Sequence, residues 1–90
     1  MNSRLSLVWT DEARERLWEI EEFIARDSAE RAAKFIDTLI DHTEEILPDN
    51  PMVGRVVPEA GNPAIRELIF KGYRIVYHLI GTQVVVLSVF

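Results

Sequence analysis

Few residues in this chain have chemistry to offer. Glu67, Arg74 and His78 lie within "IRELIFKGYRIVYHL", Arg66 stands beside them, a second histidine is at position 42, and acids adjoin at Glu21–Glu22 and Glu44–Glu45. An arginine can clamp a phosphate, and an imidazole or a carboxylate can move a proton beside it. Each also has a plainer use. Arg74 can pair with Glu67 diagonally across a hairpin. His78 has no nucleophile or second histidine in its motif and reads as a strand surface residue. Neighbouring glutamates on a helix diverge by about 100°, so these pairs read as solvated charges. His42 falls on the outer side of a helix and is expected to be solvated. The 90 residues include no cysteine, which excludes disulfides and thiolate metal sites. No phosphate-cradling loop, nucleophile elbow or metal-ligand cluster is present, so neither a cofactor nor a metal is predicted.

The elements that must position these residues follow from periodicity. "RLSLVW" (4–9) alternates as a short strand. Thr10 offers an N-cap, with Asp11 and Glu12 where the helix dipole favours anions. Ala13, Leu17, Ile20 and Ile24 then recur at helical spacing and predict a helix over 11–26, with Trp18 and Phe23 flanking its buried stripe. Ser28 is a second cap, opening a helix over 29–47 with Ala32, Phe35, Ile36, Leu39, Ile40, Thr43 and Ile46 inward; Trp9 and Trp18 belong to the core or the hairpin edge. The link is short enough to make the helices an antiparallel hairpin. All four prolines lie in the connector 47–63, which has room for a brief extended piece at 55–57. Three strands close the chain, 64–70, 73–80 and 83–90, turning at Lys71-Gly72 and Gly81-Thr82. The predicted fold is a single α+β domain over 1–90, β-α-α-β-β-β, an antiparallel sheet with the two-helix hairpin packed on one face.

The turn at Lys71-Gly72 fixes which side chains share a face. Arg74 opposes Ile69, Val76 opposes Glu67, and His78 opposes Ile65. Phe70, Leu68, Tyr73, Ile75, Tyr77 and Leu79 then lie under the helices. By the same parity Arg66 lies on that side, where its stem is expected to snorkel out to a helix carboxylate. The other face carries Ile65, Glu67, Ile69, Arg74, Val76, His78 and Ile80, to which the second turn adds Val85, Leu87 and Val89. Burying its seven aliphatic side chains at about 1.5–3 kcal/mol each is worth on the order of 10–20 kcal/mol as an upper bound. Monomers rarely leave such a patch in water. A partner chain, a second copy, a further piece of the same chain, or the 48–63 loop with long arginine and lysine stems must cover it.

Composition narrows the classes. Apolar residues at 48% describe a folded domain. No apolar run is long enough to span a bilayer and the N-terminus lacks a signal-peptide core, so a cytoplasmic protein is expected. The net charge of −5 speaks against a general nucleic-acid binder, although residues 54–74 are locally basic.

"GRVVPEAGNPAIRELIFKGYRIVYHLIGTQVVVLSVF" closely resembles the RelE/ParE superfamily of bacterial toxins, as do "LVWTDEARERLWEIEEFIA" and "AAKFIDTLIDHTEEILPDNPMVGR" in the same order. The resemblance implies a toxin of a two-gene toxin–antitoxin module, in a hetero-oligomer with a small antitoxin that wraps around it. Antitoxin would then cover the open face at Ile65, Glu67, Ile69, Arg74, Val76, His78, Val85, Leu87 and Val89. Two branches are implied. RelE-like members cut mRNA on the ribosome with basic side chains; their two hairpin lysine positions fall here on Ile65 and Glu67, and only Arg74 matches a catalytic position. ParE-like members poison DNA gyrase, and "GR" at 54–55, "IREL" at 65–68 and "GYRIVY" at 72–77 resemble this branch more. A gyrase inhibitor is therefore expected, the alternatives being a ribosome-dependent endonuclease or a shortened, non-toxic antitoxin-binding relative. Members usually continue past the last strand with a polar tail, whereas this sequence ends at Phe90 inside an apolar strand, an ending expected to bear on toxicity.

Overall fold

The computed structural model describes residues 4–90. The elements run β1 (Ser6–Trp9), α1 (Asp11–Ala25), α2 (Ala29–Ile46), β2 (Arg55–Val56), a 3-10 turn (Pro58–Ala60), β3 (Ile65–Phe70), β4 (Tyr73–Ile80) and β5 (Gln83–Val89). No helix among the described residues is long and apolar enough to cross a membrane.

Both helices begin where the sequence places a cap. Thr10 accepts from the Ala13 amide through its hydroxyl, and Ser28 does the same for Arg31, each satisfying a donor that the first helical turn leaves orphaned. Thr10 has a second task. Its amide donates to the Val86 carbonyl at 3.1 Å, and its hydroxyl lies 2.9 and 3.1 Å from the Val86 and Leu87 carbonyls. One side chain thus starts α1 and fastens it to the last strand. Thr10→Ala is expected to cost about 1–2 kcal/mol and Thr10→Ser much less, as read by urea denaturation.

The sheet order is β1-β5-β4-β3-β2. The β3–β4 register matches the sequence-based expectation throughout, with Ile65 opposite His78, Glu67 opposite Val76 and Ile69 opposite Arg74. Lys71 and Gly72 both adopt positive φ (47° and 86°), the backbone that a two-residue hairpin turn demands. One strand departs from the antiparallel expectation: β1 lies parallel to β5, so the sheet is mixed. A parallel neighbour needs a long connection, and here everything between the two strands serves as one.

The helix hairpin covers one face. Ala13, Leu17, Ile36 and Leu39 pack on Phe70, Ile75, Val86 and Val89, while Leu47, Tyr77 and Val84 form a second cluster. Trp18 and Phe23, flanking the α1 stripe, are exposed, at 59% and 63%. His42 is not the solvated side chain expected. Seven residues after Phe35, it shares that residue's shoulder of α2, and its ring lies 4.8 Å from that of Phe70.

Candidate partner-docking face

The face away from the helices has a charged centre. Glu67 sits in the middle of β3 with its side chain 4% exposed, between two arginines brought by neighbouring strands. Arg55, opposite Glu67 on β2, donates from Nε to Oε2 at 2.5 Å. Arg74, one diagonal away on β4, reaches Oε1 from Nε at 2.7 Å and from Nη2 at 2.6 Å. The Arg55 hydrogen bond is the strongest influence holding the Glu67 carboxyl below its usual range; burial opposes it, and the Arg74 hydrogen bond adds to it. Both carboxylate oxygens are thus engaged by guanidinium groups. Arg55 and Arg74 are 71% and 44% exposed and border a cleft of about 410 Å³ with Val56, Pro58 and Glu59. The Pro58–Ala60 turn therefore borders the charged end of the face.

Around this centre lie the aliphatic residues that the sequence assigned to the open face. Ile65, Val76, His78, Val85 and Leu87 are half-buried, and Ile69 and Ile80 are exposed. His78 stands between Ile65 and Val85, and its imidazole forms no hydrogen bond among the described residues, so the geometry gives it no partner for proton transfer.

Val89 is a correction. A β-bulge between Val76 and Tyr77 shifts the β4–β5 register: Tyr77 still faces Val86, but Val76 faces Ser88 and Ile75 faces Val89. The extra residue, Leu87, turns the strand end over. Val89 is consequently buried in the helix-covered core, and Phe90 takes the open-face place opposite Arg74, exchanging backbone hydrogen bonds with it at 2.8 and 2.9 Å. The Arg74 guanidinium lies 5.8 Å from the Phe90 ring centroid. Ser88 is 4% exposed, and its hydroxyl has no partner among the described residues.

Arg66 is a second correction. Among the described residues it meets no helix carboxylate; its Nη1 donates to the Gly54 carbonyl at 2.8 Å and to that of Met52 at 3.3 Å. That nitrogen is satisfied instead by carbonyls of a loop, acceptors that stand outside the sheet ladder. Sequence reasoning also missed Arg55 as a partner of Glu67, because a two-residue strand has no periodicity to read. The only available signal was its place next to Gly54 in the extended piece at 55–57.

The arrangement is a preformed, ion-paired centre on a broad aliphatic face, suited to a partner with apolar side chains and an anionic or hydrogen-bonding group over Arg55 and Arg74. A search of curated proteins returns no match. Among solved structures, the chain is similar to the chromosomal ParDE toxin–antitoxin system from P. aeruginosa, with 20% identity, TM-score 0.79, and 98% of this chain and 96% of that one covered. It is also similar to the toxin–antitoxin complex RelBE2 from Mycobacterium tuberculosis, with 17% identity, TM-score 0.72, and coverage of 97% and 90%. At these identities both neighbours speak to the fold. The sequence itself matches the family described as ParE toxin of type II toxin-antitoxin system, parDE, over residues 7–90, and the chain therefore belongs to that family.

Proposed function

We propose that this chain is a ParE-like toxin of the cytoplasm that inhibits DNA gyrase, and that a cognate antitoxin silences it by covering the open sheet face. The observation that carries the choice of target is the state of Arg74. It is the one side chain at a position matching the RelE-like nuclease set, and it is tied to a carboxylate that Arg55 also holds. Stabilising a dianionic phosphorane-like transition state calls for an excess of free cations. A buried glutamate at that centre works against it. The family match and the chain's net charge of −5 point the same way. The antitoxin is supported by the two structural neighbours, both from toxin–antitoxin assemblies, and by exposed aliphatics next to a charged centre.

The test is a supercoiling assay with the full chain. Supercoiling is expected to fall, with cleaved DNA accumulating, and adding the antitoxin should restore it. On the docking side, Ile69→Asp is expected to weaken antitoxin binding by at least about 30-fold, the size of a single interface hot spot, with little change in fold because Ile69 is exposed. Unchanged gyrase activity together with ribosome-dependent message cleavage, abolished by Arg74→Ala, would replace this reading with the endonuclease. Normal growth of cells expressing the chain alone would favour a non-toxic binding relative.

A further inference from the structure

We propose that the chain also binds a second copy of itself head to tail, with Trp18 of one molecule seated in a groove on the helix layer of the next. The groove, about 610 Å³, forms where the α1–α2 turn meets the β3–β4 turn. Phe23, Ile24 and Phe35 give it an apolar floor, and Arg26, Arg31, Lys34 and Lys71 stand around it with Asp27 as the single carboxylate. Four of the ten cations of a chain with net charge −5 thus gather at one end, both lysines among them. None of the four forms an ion pair among the described residues; Arg26 and Lys71 instead lie over the rings of Phe23 and Phe70 at 5.6 and 5.8 Å.

An occupant of this groove must be apolar at its tip and anionic around it. The same molecule displays such a feature elsewhere. Trp18 is 59% exposed, and the residues one turn away on α1 include Glu15, Glu21 and Glu22, which form no ion pair among the described residues. Trp18 and Phe23 are five positions apart, about 140° around a helix at 100° per residue. They occupy opposite flanks of α1, so a molecule cannot fill its own groove. Each copy instead offers one plug and one socket, a heterologous contact that continues from copy to copy or closes as a ring. Neither feature lies on the open sheet face. A nucleic-acid strand fits less well: its phosphates would want cations along a track, whereas these ring an aromatic floor beside an acidic helix.

The experiment uses the full chain in analytical ultracentrifugation over a range of concentrations. The wild type is expected to gain mass with concentration, less so at high salt. Trp18→Ala, lacking the plug, and Arg31→Glu/Lys34→Glu, lacking the socket, are each expected to associate at least about 30-fold more weakly. Mixed in equal amounts, they should form a heterodimer and nothing longer, because one retains the socket and the other the plug. Glu15→Lys/Glu22→Lys mixed with the socket variant should recover association through the reversed charges. All of these positions are exposed on the helices, and circular dichroism of each variant checks that it folds. A wild type that stays monomeric overturns the proposal, as does a Trp18→Ala variant that associates like the wild type. A monomer whose groove is protected only on adding antitoxin, or only on adding a single-stranded RNA oligonucleotide, assigns the groove to that ligand and equally overturns it.

Discussion

Replacing Arg55 and Arg74 together by methionine is expected to cost about 2–3 kcal/mol at neutral pH and to invert the response of the fold to acid. Methionine keeps an apolar stem over Glu67 but removes both guanidinium groups. The cost falls below the roughly 3–5 kcal/mol of a deeply buried pair because the two arginines that engage the carboxylate are themselves partly exposed. In the wild type the folded carboxyl titrates below its usual value. Its stabilising contribution is therefore present above the unfolded pKa and is lost as pH falls through the folded one. In the double variant desolvation acts without its two opponents, so the folded pKa rises above the unfolded one. Stability is then fully retained below the unfolded pKa and is lost as pH rises through the folded one. Each single variant leaves one guanidinium on the carboxylate and should cost under about 1 kcal/mol, so the double loss exceeds the sum. Urea denaturation at several pH values reads both effects; parallel profiles for wild type and double variant would show that Glu67 is indifferent to its neighbours.

Much of this site was legible because local signals agreed with one another. Thr10 and Ser28 announce the helices, and a Lys-Gly pair with strands on both sides sets the β3–β4 register. From that register alone, Glu67 and Arg74 fall on one face, and their pairing is an ordinary consequence of diagonal strand neighbours. The departures have a common origin in contacts between segments distant in the chain. The β-bulge opposite Val76 and Tyr77 leaves no mark in an apolar run such as "QVVVLSVF", where either parity looks equally buried, so Val89 and Phe90 exchange faces. The parallel placement of β1 depends on which sheet edge lies free after β5 has formed. His42 is turned inward by Phe70, nearly thirty residues later, and Arg66 is drawn to carbonyls of a loop whose path no periodicity encodes. In each case a long-range partner overrides a correct local pattern.

Gly54→Ala is expected to destabilise the protein by about 2–4 kcal/mol and to disturb the open face as well, although only a methyl group is added. Gly54 is not at positive φ; what it supplies is space. A Cβ there would lie 2.5 Å from the Tyr77 hydroxyl, 2.9 Å from its ring and 2.7 Å from the Glu67 carbonyl. Tyr77 is fully buried and Glu67 is central strand backbone, so the loop must give way. That loop is held by this very approach. The Tyr77 hydroxyl donates to the Pro51 carbonyl at 2.7 Å and accepts from the Gly54 amide at 3.0 Å, while Arg66 holds the Gly54 carbonyl. Burial pushes the phenol above its ordinary pKa, against the Gly54 amide and Arg66, so it remains a donor across the neutral range. Moving Gly54 outward strains all three bonds and carries Arg55, the next residue, away from Glu67. Tyr77→Phe removes two of the bonds without the clash and should cost about 1–3 kcal/mol. Combining the two substitutions should cost less than their sum, because the ring without its hydroxyl no longer meets the new methyl at 2.5 Å. Denaturation of the three variants measures this coupling. A Gly54→Ala protein as stable as the wild type would mean that the loop does not rest on Tyr77, and that the position of Arg55 over the carboxylate has some other cause.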